Sequence, residues 1–231
     1  NFGSGEIKTS GDVLDVLVAM NPAALTVEVH NLKAGGVLIV DTGAFGERNL
    51  RKAGFDKNPL KDGSMAKYRM FGIDISAMTL ESVKGFGLSN KEALRSKNMW
   101  TLGLVFWLYG RDRQSAIDGL REKFTKRPEL AESNIAALNA GHAFGETAEL
   151  PDGLGGFTIA KATIAPGLYR TVSGGEALSW GLIAGARLAN LELFLGSYPI
   201  TPASPILHIL ASLRHFGVTT FQAEDEIAAV C

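Results

Sequence analysis

Cysteine is almost missing from this sequence. One residue, Cys231, stands at the last of 231 positions, which excludes an internal disulfide framework and any cysteine-ligated zinc or iron–sulfur centre within one chain. That usage fits a reduced, cytoplasmic setting. Neither sign of charge is in excess: 23 Lys plus Arg stand against 24 Asp plus Glu, so no overall basic field draws nucleic acid or an anionic membrane. Long apolar runs are missing as well. The longest, Met99 to Tyr109, has 11 residues and contains Gly103, whereas a membrane-spanning helix needs about 20 apolar residues; it reads as a core helix. Asn1 to Thr9 lacks a charged region followed by an apolar one, so no secretory signal is visible. Several chemical signatures are absent too. There is no Walker P-loop, no Gly-x-Gly-x-x-Gly after a strand and no Gly-x-Ser-x-Gly elbow, and the stretch Gly43 to Gly46 has the wrong spacing for a dinucleotide turn. His30, His142, His208 and His215 are scattered without metal-ligand spacing and read as solvent-facing or capping residues.

What is present is ordinary globular composition, 46% apolar and 20% charged, in a chain long enough for one large domain or two small ones. Asp15 to Met20 is a short apolar run, and Asn21-Pro22 opens a helix over Ala23 to His30. Gly35-Gly36 leads into the strand Val37 to Val40, which ends at Asp41, and Tyr68 to Ile75 supplies a third strand. Continuous apolar strands interleaved with helices predict α/β architecture around a parallel sheet buried on both faces. Ser89 with Glu92 forms a capping box for a helix running to Tyr109 before Gly110. Further helices are expected at Gln114 to Phe124 and Glu129 to Phe144, the second ending around Gly145. Trp100, Phe106 and Trp107 on one helix read as core rather than as a cofactor box.

The composition shifts to Gly, Pro, Thr and Ala between Glu146 and Gly167, including Leu150-Pro151-Asp152-Gly153 and Gly155-Gly156, which predicts a linker over 149–167 between domains at 1–148 and 168–231. In the second domain Ser173 caps a helix over Glu176 to Asn190, whose Gly181, Ala184, Gly185 and Ala186 allow a close neighbour. A buried strand follows at Leu191 to Leu195, then a rigid loop from Gly196 to Ala203. Ser204-Pro205 supplies a cap and first-turn proline for a helix over Ile206 to His215, Val218 to Phe221 is another strand, and Glu224 begins a last helix.

Two segments carry candidate chemistry. Gly196 to Ser204 sits at the carboxyl end of a parallel strand, where open α/β sheets bind ligands. Pro199 and Pro202 stiffen it and hold the Thr201 hydroxyl beside a helix N-terminus; a proline-stiffened turn would look the same. Phe221 to Ala229 places Glu224, Asp225 and Glu226 at a helix start, where acids complement the dipole. Glu226 stands next to Ile227, Ala228 and Ala229, so an apolar pocket is expected around it, in which its carboxyl pKa would rise.

Together, Tyr198-Pro199-Ile200-Thr201-Pro202-Ala203-Ser204 and Gln222-Ala223-Glu224-Asp225-Glu226-Ile227-Ala228 resemble the alpha subunit of 2-oxoacid:ferredoxin oxidoreductases. The likeness is to the 2-oxoglutarate type, in which a gamma domain is fused ahead of the alpha domain. Asp15 to Pro22, Asn58 to Ser64, Arg95 to Met99 and Phe144 to Thr147 resemble the gamma domain in the expected order. The resemblance implies a gamma-type, Rossmann-like domain followed by the start of a thiamine diphosphate pyrimidine-binding domain. It also implies oxidative decarboxylation of a 2-oxoacid with coenzyme A, with electrons passing to ferredoxin. Glu226 matches the glutamate that hydrogen-bonds the cofactor's aminopyrimidine ring, Thr201 matches the threonine facing the substrate carboxylate, and Tyr198, Pro199 and Ile200 line the cofactor. Family members begin with a Gly-rich strand ahead of the matched region and continue past Glu226, so both blocks are expected to be incomplete. Position 175 is Gly where the family usually reads Gly-Asn-Glu-Ala. Neither a Gly-Asp-Gly magnesium cradle nor a set of cluster cysteines is present; in the family both belong to a separate beta subunit. A non-catalytic assembly subunit that keeps the fold is the alternative reading.

Overall fold

The computed structural model describes residues 3, 13–148, 156–161 and 163–231. The expectations for Asn1 to Thr9, Gly3 apart, for Leu150-Pro151-Asp152-Gly153 and for Gly155 lie outside them. The chain divides into two compact units, Asn1–Ile164 and Ala165–Cys231. Among the described residues no helix is long and apolar enough to cross a membrane.

In the first unit, strands β1 (Leu14–Ala19), β2 (Leu32–Asp41) and β3 (Arg69–Ile73) form a parallel sheet in the order β1-β2-β3. Strand β2 shows why an unbroken apolar run makes a strand here. Successive side chains point to opposite faces, so Val37 and Ile39 enter one core with Ile73, Trp100, Leu104 and Leu108, while Leu38 and Val40 enter the other with Leu17, Leu25 and Phe45. Helices α1 (Pro22–Glu28) and α2 (Glu47–Lys52) lie on the second face. The first is started by Asn21, whose Oδ1 accepts from the Ala24 amide at 2.8 Å.

The other face is covered by α3 (Ile75–Ser82), α5 (Lys97–Leu108) and α7 (Pro128–Thr147), with α4 (Asn90–Ala93) and α6 (Gln114–Lys123) beside them. The helix expected from Ser89 to Tyr109 is interrupted: Leu94–Ser96 tightens to a 3-10 turn between α4 and α5, although the capping box of Ser89 and Glu92 forms as the spacing requires. Helices α5 and α7 meet backbone to backbone. A methyl group on Gly103 would overlap the carbonyl oxygen of Leu138, and one on Gly141 that of Trp100. Trp100 is fully buried and stacks obliquely on Phe144 at 5.3 Å, so the tryptophans of α5 are core. Helix α7 continues past Gly145, whose bare Cα lies under the Trp107 ring. His142 departs from the solvent-facing role expected of it, since its side chain is 15% exposed against α5.

In the second unit, β4 (Leu193–Ser197) and β5 (Val218–Gln222) pair in parallel with Ser197 opposite Gln222. Helices α8 (Gly174–Ala189) and α9 (Ser204–Ser212) pack on this ribbon, and Ile183, Leu210 and Val218 form its small core. Despite Gly175, the cap of α8 is complete: Ser173 Oγ accepts from the Glu176 amide at 3.2 Å and the Glu176 carboxylate accepts from the Ser173 amide at 2.8 Å. The strand expected as buried at Leu191 to Leu195 is shifted and half open, with Leu191 and Phe194 exposed. No described residue lies within 4 Å of a methyl group placed on Gly181 or Gly185, so the small residues of α8 have no close neighbour there.

Candidate functional site

Parallel pairing brings the carboxyl ends of β4 and β5 side by side, so the segments that leave them begin next to each other. A hydrogen bond of 2.7 Å from the Ala223 amide to the Ser197 carbonyl ties the two exits together. From β4 the chain enters Tyr198, Pro199, Ile200 and Thr201; from β5 it passes Ala223 and Glu224 into α10 (Glu226–Val230). The two sequence-predicted halves of the site thus share one end of one sheet.

The first segment is a closed loop. The Ser204 amide donates to the Ile200 carbonyl at 2.9 Å, and Ser204 Oγ donates to that carbonyl at 2.9 Å while accepting from the Ile200 amide at 3.1 Å. Ser204 is therefore not the N-cap it was expected to be. Helix α9 begins at Ser204, two residues before the expected Ile206, with Ala203 at the cap and Ser204-Pro205 inside the first turn, because the serine side chain is taken by the loop. Thr201, inside this loop, is exposed, and the bond to Pro202 is cis. Tyr198 is half-buried, and Pro199 and Ile200 are exposed.

The second segment also departs from expectation. The helix begins at Glu226 rather than Glu224, because Asp225 is extended and caps it, its Oδ1 accepting from the Ala228 amide at 2.8 Å. Glu226 is exposed, as are Ile227 at 71% and Ala228, so the apolar pocket expected around this carboxyl group is not formed by the described residues. A five-residue helix has one turn, and its apolar neighbours in sequence point outward with it. Neither Glu226 nor the Thr201 hydroxyl makes a hydrogen bond or ion pair with a described residue, which leaves a free carboxylate and a free hydroxyl at adjacent strand ends.

A polar cluster in the first unit escaped sequence reading. Asp41, at the carboxyl end of β2, is fully buried; it accepts from Ser76 Oγ at 2.7 Å and from Lys97 Nζ at 2.8 Å. The signal available was Asp41 closing an apolar strand. Its partners lie 35 and 56 residues away and only the fold joins them. Among the described residues no group of three or more His, Cys, Asp or Glu could hold a metal ion.

The family described as pyruvate ferredoxin/flavodoxin oxidoreductase matches residues 1–144. The 2-oxoglutarate oxidoreductase subunit KorA of Mycobacterium tuberculosis is 46% identical over 226 residues, 98% of this chain. The chain belongs to the pyruvate ferredoxin/flavodoxin oxidoreductase family. It spans about a third of KorA, 34% of that protein's length. Subunit alpha of 2-oxoacid:ferredoxin oxidoreductase 1 from Aeropyrum pernix is 28% identical over 177 residues, 71% of this chain and 26% of its own length. Among solved structures, the 2-oxoglutarate:ferredoxin oxidoreductase of Magnetococcus marinus, with 2-oxoglutarate, coenzyme A and succinyl-CoA bound, superposes with a TM-score of 0.70 at 27% identity, over 97% of this chain and 34% of that one. For this family member the α/β architecture with parallel sheets agrees with the sequence expectation.

Proposed function

We propose that the chain is the gamma domain and the leading part of the alpha domain of a 2-oxoglutarate-type 2-oxoacid:ferredoxin oxidoreductase. The division near residues 149–167 is part of that reading. The observation that carries it is the delivery of Tyr198 to Thr201 and of Glu226 to neighbouring ends of β4 and β5, in a chain 46% identical to a 2-oxoglutarate oxidoreductase subunit. The reaction is oxidative decarboxylation of the 2-oxoacid with coenzyme A, giving acyl-CoA and carbon dioxide, with two electrons leaving to ferredoxin.

The residues present fit the pyrimidine side of thiamine diphosphate. An exposed carboxylate without a partner among the described residues suits a ring nitrogen, and a hydroxyl on a loop closed by Ser204 suits a substrate carboxylate. When bound, the cofactor would supply an acidic carbon able to act as the nucleophile toward the oxo group. Glu226 would hold the aminopyrimidine ring at its ring nitrogen and exchange a proton there. Thr201 donates its hydroxyl to the substrate carboxylate and orients the oxo group. Tyr198, Pro199 and Ile200 pack along the cofactor and exclude water. By the family resemblance, magnesium and the iron–sulfur cluster belong to a beta subunit.

Substitution in the full-length polypeptide assembled with its partner tests the division of roles. Glu226→Gln keeps size and removes the ionisable proton, so cofactor affinity should hold while C2 hydrogen–deuterium exchange and kcat fall by about 10² to 10⁴. Thr201→Val should raise KM for the oxoacid and leave C2 exchange nearly intact. Equal effects on C2 exchange would mean the roles are wrongly divided, and no effect of Glu226→Gln would remove Glu226 from the chemistry.

A further inference from the structure

We infer that Gly196 and Asp225 are positioning residues for Glu226, an inference that rests on the assignment of Glu226 to the cofactor ring. Ile227 and Val230 of α10 are 71% and 88% exposed among the described residues, and the described contacts of the helix lie at its two ends. At its start, Asp225 Oδ1 accepts from the Ala228 amide at 2.8 Å, and two residues earlier the Ala223 amide is fastened to the end of β4. At its far end, the carbonyl oxygen of Ala229 rests directly over the Cα of Gly196 in β4.

Gly196 does not adopt the left-handed backbone found at Gly217 and six other glycines, so conformational freedom is not what the position requires. It requires space. A Cβ at 196 would overlap the Ala229 carbonyl, and a helix carbonyl cannot rotate away as a side chain could, so the helix itself must move. Restoring a van der Waals contact needs a shift of about 1 Å. Glu226 lies one turn earlier on the same short helix and moves with it. A reacting group displaced by about 1 Å loses up to about 10² in rate. The glycine in one strand therefore sets where the carboxylate at the end of the next one sits.

The test uses the full-length polypeptide assembled with its partner subunit. In the crystal structure of cofactor-free Gly196→Ala, the Ala229 carbonyl should sit about 1 Å further from β4 than in the parent. Bound thiamine diphosphate should exchange its C2 proton roughly 10 to 100 times more slowly, with KM for the oxoacid within about twofold. Asp225→Ala should slow C2 exchange in the same way, and Asp225→Asn, which keeps the capping oxygen and removes the charge, should restore it to within about threefold. If Gly196→Ala destroys folding, the Asp225 pair decides alone. Unchanged C2 exchange in Gly196→Ala and Asp225→Ala, where Glu226→Gln slows it, would overturn the positioning roles and leave the function standing. No effect of Glu226→Gln would overturn the function and the positioning roles with it.

Discussion

Asp41 and Asp15 are both strand residues paired with a lysine, yet burial separates them. Asp41 is sealed from water and depends on Lys97 and Ser76, whereas Asp15 and Lys33 are 73% and 51% exposed. Removing one partner of a buried pair strands the other charge, so Lys97→Met should destabilise the fold by about 3 kcal/mol in urea unfolding, while Asp15→Ala should cost less than about 1 kcal/mol. His142 gives the molecule an acid-sensitive point. Its Nδ1 is buried 3.3 Å from Glu146 Oε1 without hydrogen-bond geometry, and burial, helped by the Arg113 charge, lowers its pKa despite the opposing pull of Glu146. Because the folded pKa lies below the unfolded one, protons favour the unfolded chain. Stability from this residue is full above about pH 6.5 and falls as the pH drops below it. Urea midpoints measured at about pH 7.5 and about pH 5.5 should differ less in His142→Gln than in the parent.

Helices α5 and α7 meet in close backbone contact. Gly103 and Gly141 each admit the other helix's backbone, so Gly103→Ala and Gly141→Ala should each destabilise by about 3 kcal/mol or more, where Gly119→Ala, with open space around it, should be neutral or slightly stabilising. Thermal melts of the three variants check this. The elements that sequence reading placed well are those whose side chains report their own surroundings. The run Val37 to Val40 is apolar because both faces of β2 are covered, and Ser173 and Glu176 sit three apart because a capping box needs that spacing. Misplaced features depended on partners that the local sequence pattern does not name. The serine of Ser204-Pro205 matches a cap, but closure of the loop onto Ile200 takes its hydroxyl. Glu226 has apolar neighbours in sequence, but no second element encloses them among the described residues. Gly196, expected as the first residue of a loop, lies inside β4, and only the fold brings Ala229 over it.

At the scale of the whole molecule, no described residue covers the candidate site. Its carboxylate and hydroxyl are exposed, and Phe194, Phe221 and Ile227 add exposed apolar surface to the second unit. A cofactor held only here would remain in water, which weakens every electrostatic contact the chemistry needs. Both curated relatives are named as subunits, and the chain spans about a third of KorA. On the proposed function, catalysis belongs to an assembly in which a beta subunit closes the site and supplies the metal and the electron carrier. The most direct measurement is 2-oxoglutarate-dependent release of carbon dioxide with reduction of ferredoxin, in the presence of thiamine diphosphate, magnesium and coenzyme A. It would compare this chain alone, the beta subunit alone, and the beta subunit with the full-length polypeptide. Turnover is expected only in the third, abolished or cut by at least about 10² in Glu226→Gln; turnover by this chain alone, or none by the full assembly, would overturn the proposed function.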